Sequence, residues 1–544
     1  MQYVMPFIIG MAVTMVWLPL LTRIATRWML IDQPGVRKVH SVPIPRVGGV
    51  SMALGIFAAA LLTIDLQSTD YWFLAAAVVL ILFGALDDRF DLDYRVKFLG
   101  QLLAVGLVVF GGHVRVQTIA LDDRLMLPGV ISIPLTVLFL VGVTNAVNLA
   151  DGLDGLAGGT TFLCLCAVAL LSGIGVPGSA TALALAFAGA VLGFLRFNTY
   201  PASVFMGDAG SQLLGFGIGV LSIRATQNAS TEISAAIPIL LLALPILDTL
   251  SVMVQRLAEG RSPFSPDKNH IHHKLLALGF DHHEAVMVIY AVQGILFLTA
   301  YFLRYESDLV IIGIVATLFA AAIAALQLAS RSGWRLRAAE RSSRPPALPW
   351  HLVFLRDPAS VSDMTNTVLA ASVVLYAALV VLKTVSLGND FKILVLMLLT
   401  VTVGCAALLR IGPLHLVEKG SLYVTATLLV YLDAVTPSGS RVLTTIGWVA
   451  VAAAGIMTAL RLRLSNDRRF QLTPLDLIVL FMALVVPSLS GAVRIPGGAL
   501  GIAKLVLLYY AIEMLVSPLD ERALWVRMAG AVVLAGLIVR PLAA

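Results

Sequence analysis

Apolar runs long enough to cross a bilayer, which takes about 20 residues as a helix, recur along the whole chain and are separated by short polar segments. They fall near 3–22, 48–66, 71–87, 97–112, 129–147, 158–176, 180–197, 209–224, 234–256, 285–303 and 308–330. A second series lies near 365–386, 391–410, 420–436, 442–460, 474–492, 499–516 and 525–542. The pattern predicts an all-α polytopic integral membrane protein, with about 11 spans in residues 1–330 and about 7 in residues 365–544. Between them, 331–364 is rich in arginine and carries Pro345-Pro346, which reads as a linker. Only 112–128 breaks the helical pattern: it alternates from His113 to Gln117 and turns at Asp122-Asp123, predicting a short β-hairpin with a solvated turn.

Composition agrees with this reading. Of the 544 residues 59% are hydrophobic and 12% charged, against about a quarter charged in soluble domains. The first run, Tyr3 to Leu21, lacks a basic leader and a small-residue cleavage site, so it is expected to be a retained helix. Cys164, Cys166 and Cys405 all lie in apolar runs and offer neither a disulfide framework nor metal-ligand spacing. The net charge of +6 is assigned to loops retained on the cytoplasmic side, not to nucleic-acid binding. Arg23, Arg27, Arg37, Lys38 and Arg46 crowd the first loop, whereas the second has Asp65 and Asp70 and no Lys or Arg. The N-terminus is therefore expected outside, and the hairpin with it, in the periplasm. Alternation then puts 87–97, 145–157, 196–208, 257–284, 331–364 and 461–473 in the cytoplasm, and the last two of these are strongly basic.

Those cytoplasmic segments also hold the reactive side chains. Asp87, Asp88, Asp91, Asp93 and Lys97 follow the third run. Asn145, Asn148, Asp151 and Asp154 recur every three residues at the end of the fifth, followed by Gly155, Gly158 and Gly159. Asn198, Phe205 and Asp208 lie before the eighth, and His270, His272 and His273 after the ninth. Carboxylates without cysteine suit a hard cation, Mg²⁺ or Mn²⁺, held by one or two of them together with substrate phosphate. Asp208 at a span entrance adds a helix N-terminus able to face an anion. Such a set suits phosphoryl transfer, in which positioning and charge neutralisation do most of the work. Each motif also has a plainer reading, as a solvated loop, a turn or surface histidines, but all of these would have to hold on one membrane face.

Taken in order, the motifs resemble the polyprenyl-phosphate N-acetylhexosamine-1-phosphate transferases of glycosyltransferase family 4. They are Asp32-Gln-Pro34 to His40 with Pro45-Arg46-Val-Gly48-Gly49; Asp87-Asp88 with Lys97-Phe98 and Gln101; Asn145 to Ala157; Phe205-Met-Gly-Asp208-Ala-Gly-Ser; and His270-Ile-His272-His273. The resemblance covers about residues 1–330. It implies attack of a membrane-bound lipid phosphate (undecaprenyl phosphate in bacteria) on the sugar-proximal phosphorus of a UDP-N-acetylhexosamine, with release of UMP. Asp208 is then the chief metal ligand, with Asp87 and Asp88 as further catalytic and metal-site groups. Asn148, Asp151, Asp154, Asn198 and Phe205 are expected at the nucleotide. Lys97, Lys38, Arg46 and the histidine set are expected at phosphate or sugar.

The spaced His-Ile-His-His form resembles the branch using UDP-N-acetylglucosamine to initiate O-antigen, lipopolysaccharide or other envelope polysaccharides. UDP-MurNAc-pentapeptide or a modified N-acetylhexosamine remains an alternative, and so does transport of a lipid-linked glycan. The resemblance also implies the bacterial inner membrane, with a second copy of the chain and downstream glycosyltransferases as candidate partners. Residues 365–544 lie outside the resemblance, as a multi-span region without an assigned role.

Overall fold

The computed structural model describes residues 3–25, 27–33, 43–120, 124–174, 177–227, 232–262, 269–332, 358–407, 414–436, 441–464, 498–515 and 523–540, with isolated positions in 474–482. Lys38, the Asp122-Asp123 turn, Asp267-Lys268, most of the 331–364 linker and most of the expected span at 474–492 lie outside the described residues. The chain divides into two compact units, Met1–Arg341 with Thr473–Ile478, and Ser342–Leu472 with Val479–Ala544.

The first unit opens with α1 (Val4–Ala25), the strand pair β1 (Ile31–Asp32) and β2 (Ile44–Pro45), α2 (Gly48–Thr63), α3 (Ser68–Phe90) and α4 (Tyr94–Gly106). A π-helical turn, Leu107–Gly111, extends α4. Strands β3 (Thr118–Ala120) and β4 (Arg124–Met126) pair antiparallel, whereas the alternating stretch His113 to Gln117 is not strand. Then come α5 (Gly129–Ala150), α6 (Leu156–Ser172), α7 (Ser179–Asn198), α8 (Gly207–Thr226), α9 (Ile237–Leu241), α10 (Ala243–Ala258), α11 (Ile271–Ala277), α12 (His282–Phe302) and α13 (Asp308–Arg331). The second unit comprises α14 (Pro358–Lys383), α15 (Asn389–Ala407), α16 (Leu414–Val435), α17 (Arg441–Leu464), α18 (Gly498–Leu515) and α19 (Ala523–Ile538). Among the described residues, eight helices are long and apolar enough to cross a membrane: α1, α3, α4 with its π turn, α5, α7, α12, α13 and α14.

Helix α6 and most of α8 are buried on all sides, and α7 nearly so; they form the centre of the first unit. Lipid tails are as apolar as the side chains, so such helices associate by close packing of small residues. Helix α1 meets α7 in this way, because a methyl group on Gly189 would overlap the Phe7 carbonyl and one on Gly10 would lie 2.5 Å from the Ala186 carbonyl. Rings fill the wider spaces, with Phe73 of α3 stacked on Phe187 at 5.7 Å and on Phe216 at 6.0 Å.

The ninth apolar run departs from expectation. Instead of one span over 234–256 there are two helices that break at Leu242. Pro245 has no N–H to give the Leu241 carbonyl one turn earlier, and its ring crowds that carbonyl. The orphaned oxygen accepts from Gln293 Nε2 at 2.9 Å and from the Cys164 thiol at 3.2 Å. Beyond the break α10 is amphipathic: Asp248, Val252 and Arg256, four residues apart, face inward, while Leu250, Val254 and Leu257 are exposed.

Candidate functional site

The site is built around the N-terminus of α8. Asp88, in the last turn of α3, accepts the first free N–H groups of α8, from Asp208 at 2.9 Å and Ala209 at 3.2 Å. A carboxylate there answers both the unpaired amides and the helix dipole. Gly207 makes the arrangement possible: its φ is +67°, and a methyl group would overlap the Asp88 carboxylate. Arg46 stands 3.9 Å from Asp88 Oδ1 and also pairs with Asp32. Main-chain bonds fasten the first loop to this corner: Phe205 N–H to the Pro45 carbonyl at 2.8 Å, Gly48 N–H to the Phe205 carbonyl at 3.0 Å, and Gly49 N–H to the Met206 carbonyl at 2.8 Å.

Asp208 then projects from the first turn of α8 into a cluster. Lys97, from the start of α4, lies between two carboxylates, its Nζ 2.5 Å from Asp87 Oδ2 and 3.1 Å from Asp208 Oδ2. Asn148 Nδ2 donates to Asp208 Oδ1 at 3.3 Å. Asp87 is buried, and its other oxygen accepts from Leu92 N at 2.7 Å. Beneath them Gln101, Asn145 and Gln212 form an amide cluster; Asn145 Nδ2 donates to Gln101 Oε1 at 2.7 Å, and Gln101 Nε2 lies 3.3 Å from Gln212 Oε1.

Asp151 caps the C-terminal end of α5. Burial, and then the neighbouring carboxylates of Asp208, Asp154 and Asp88, push Asp151 up to about 7. Among the described residues this cluster thus sets Asp87, Asp88, Asp151 and Asp208 against Lys97 and Arg46. No group of three or more Asp, Glu, His or Cys side chains among the described residues converges as a metal site, so Asp208 and Asp87 supply only part of a shell for a hard cation such as Mg²⁺, and substrate phosphate would have to supply the rest.

Two expected contact residues also brace the scaffold. Asn198 is 3% exposed. Its carboxamide accepts from Gly155 N at 2.9 Å and donates to the Val204 carbonyl at 2.9 Å. It was expected beside the nucleotide, but both ends of its amide are committed to main chain, so it acts by tying the 151–155 loop to the 199–206 loop. Asp154 makes a parallel tie, accepting from Ala202 N at 2.9 Å.

The histidines join through the same loop. His270 Nδ1 lies 2.8 Å from Asp248 Oδ2, and Ile271 N–H donates to Asp248 Oδ1 at 2.8 Å, so a buried carboxylate on α10 fixes the start of α11. His272 stacks on His270 at 5.7 Å, sits 4.2 Å from the His273 ring and presses its Nε2 against Gly152, where a methyl group would overlap it. Burial, and then His273, push His272 down to about 4, so its ring is neutral at neutral pH. Asp154 N–H donates to His282 Nε2 at 3.0 Å, and Tyr290 donates to the Gly155 carbonyl at 2.6 Å.

Asp248, His282 and Tyr290 were not singled out in the sequence. Asp248 had a signal, as a lone carboxylate in an apolar run; His282 and Tyr290 sit at or within an ordinary span and had none.

Residues 71–226 match glycosyl transferase family 4. The chain is 37% identical over 306 residues to the "Probable undecaprenyl-phosphate N-acetylglucosaminyl 1-phosphate transferase" of Bacillus subtilis, covering 56% of this chain and 85% of that protein. It is 37% identical over 306 residues to the decaprenyl-phosphate N-acetylglucosaminephosphotransferase of Mycolicibacterium smegmatis, covering 50% and 75%. Against the undecaprenyl-phosphate alpha-N-acetylglucosaminyl 1-phosphate transferase of Escherichia coli K12 it is 33% identical over 282 residues, covering 50% and 76%. The chain belongs to glycosyl transferase family 4.

Proposed function

We propose that this member of glycosyl transferase family 4 transfers N-acetylglucosamine-1-phosphate from UDP-N-acetylglucosamine to undecaprenyl phosphate, giving the lipid diphosphate sugar and UMP. The observation that carries the reading is the cluster at the α8 N-terminus, where Asp87, Lys97 and Asp208 meet beside an Asp88 that caps the helix. The names of the relatives support the acceptor class and the sugar. In the reaction a lipid phosphate oxygen forms a bond to the sugar-proximal phosphorus, and the bond from that phosphorus to the UMP oxygen breaks. A phosphate monoester is largely ionised at neutral pH, so the attacking oxygen needs little help from a base.

The residues divide the work. Asp208, with Asp87 beside it, would hold Mg²⁺, which when bound draws charge from the phosphate oxygens. Asp88 sets the α8 N-terminus and so aims Asp208. Lys97 moves from carboxylates to phosphate oxygens as substrate enters, and Arg46 reaches the same phosphates. Asn148 and Asp151 face the nucleotide, with Phe205 against the base. His273 and a neutral His272, able to donate one N–H, face the sugar. The site opens on the cytoplasmic side of the bacterial inner membrane, where UDP-sugars are made, and the product begins an envelope polysaccharide.

Purified protein incubated with radiolabelled UDP-N-acetylglucosamine, undecaprenyl phosphate and Mg²⁺ is expected to form labelled lipid and UMP. No labelled lipid with any UDP-N-acetylhexosamine would refute the reading. Label from another UDP-N-acetylhexosamine alone would replace the sugar and keep the chemistry.

A further inference from the structure

The second unit holds an ionic cluster that sugar-phosphate transfer does not use. Asp433 lies between two lysines, with Lys383 Nζ 2.8 Å from its Oδ1 and Lys504 Nζ 2.5 Å from its Oδ2. All three side chains are nearly buried, at 6% exposure for Lys383 and Asp433 and 11% for Lys504. The Tyr376 hydroxyl donates to Asp433 Oδ2 at 3.2 Å, and Lys504 Nζ lies 4.1 Å from the Trp448 ring centre. Charged groups inside apolar helices are costly and mark function by default. Here, among the described residues, two ammonium groups share one carboxylate, leaving a positive charge that aromatic faces only partly offset.

Position and shape narrow the ligand. Lys383 ends α14 and Asp433 lies in the last turn of α16, whereas Trp448 and Lys504 lie in the first half of α17 and α18. All four therefore sit toward one end of the bundle, the end remote from the start of α14. Arg540 reaches the same end, donating to the Val381 carbonyl at 2.9 Å. From Tyr376 a narrow cleft, lined almost wholly by apolar atoms, runs between α14, α16, α18 and α19 past Ala377, Leu422, Leu429, Leu508 and Val533. Tyr376 lines the cleft and its hydroxyl bonds Asp433, so the cations adjoin the cleft without lining it, an arrangement that complements an amphiphile with an anionic head and a slender tail.

We propose that this cluster binds the phosphate of a polyprenyl phosphate whose first isoprene units enter the cleft. Lys504 and Lys383 donate to the phosphate, and Asp433 holds the two ammonium groups apart when the site is free. The choice of prenyl phosphate over other phosphate lipids rests on the acceptor proposed above and on the narrowness of the cleft.

The test uses the full chain and a photoreactive polyprenyl phosphate, with crosslinked peptides mapped by mass spectrometry. Peptides of α14, α16 or α18 should carry label, and unlabelled undecaprenyl phosphate should compete it away. Phosphatidylglycerol and inorganic phosphate should not. Lys504→Gln should lower this label by about tenfold or more, as expected for losing one charged donor to a buried phosphate, and Lys504→Arg should restore it. Asp433→Asn should retain the label, since both cations remain, whereas a merely structural triad would lose it with either change. Lys383→Gln provides a second lysine variant should Lys504→Gln fold poorly, and melting temperature monitors each protein.

No label in these helices, equal competition by phosphatidylglycerol or by inorganic phosphate, or unchanged label in both glutamine variants would overturn the proposal. Such a failure would leave labelled lipid product forming at the first unit. Failure of the transferase reading would abolish that product.

Discussion

If Asp88 works by aiming Asp208, the carboxamide that most resembles it should fail. Asp88→Asn preserves size and one acceptor, but its amide N–H turns toward one of the two α8 N–H groups now accepted at 2.9 and 3.2 Å. A buried N–H left unpaired costs about 1–3 kcal/mol. Removing a negative charge from a helix N-terminus adds about 0.3–1 kcal/mol. If the whole of this falls on the placement of Asp208 in the transition state, kcat/KM drops roughly 10- to 1,000-fold, at about 1.4 kcal/mol per tenfold. Gly207→Ala attacks the same contact from the other side, because its methyl group would overlap the Asp88 carboxylate at a φ of +67°. The two changes should therefore be less than additive when combined. Initial rates of labelled lipid formation across a Mg²⁺ titration provide the measurement, with circular dichroism and melting temperature verifying the fold. An Asp88→Asn protein within twofold of wild type in rate and Mg²⁺ midpoint would refute the reasoning, as would full additivity with Gly207→Ala.

The remaining predictions test the supports of the site. Gln293→Leu removes the main partner of the Leu241 carbonyl and should lower stability by about 1–3 kcal/mol; Pro245→Ala, which returns an N–H to that carbonyl, should shrink the loss, and thermal unfolding of the double mutant decides. Asp248→Ala should reduce activity about as much as His270→Ala, with little further loss in the double mutant, because the carboxylate acts through that ring and the start of α11; additive losses would separate them. His272 is held neutral with its folded pKa depressed from 6.5 to about 4. The stability it contributes is complete above about pH 6.5 and is lost as pH falls toward 4, by about 3 kcal/mol at full protonation. Melting temperature should accordingly fall more steeply between pH 7 and 4.5 in wild type than in His272→Gln, and parallel curves would show that the ring titrates normally.

Sequence pattern located the apolar runs of the first unit well because apolarity in a bilayer is set by the solvent around a helix and survives without knowledge of its neighbours. It missed the break at Leu242 because the Pro245 fault is visible locally, while the groups that repair it are Gln293 and Cys164, distant in sequence and each unremarkable where it stands. The site divides in the same way. Asp87, Asp88, Lys97, Asn148 and Asp208 were legible because unpaired polar groups at the ends of apolar runs are costly unless something employs them, and the fold brings these five into direct contact. Asn198 and Asp154 announced themselves by the same signal, yet they answer main-chain amides.

Residue type and spacing could not tell these two uses apart, because a carboxamide that holds a loop and one that holds a ligand look alike until the donors around it are known. The distinction has a functional consequence. The 151–155 loop carries Asp151 toward the carboxylates on one side and Gly152 against His272 on the other, and Asn198 and Asp154 fix its path. A change at Asn198 should therefore disturb the carboxylate cluster and the histidines together, although its side chain faces neither.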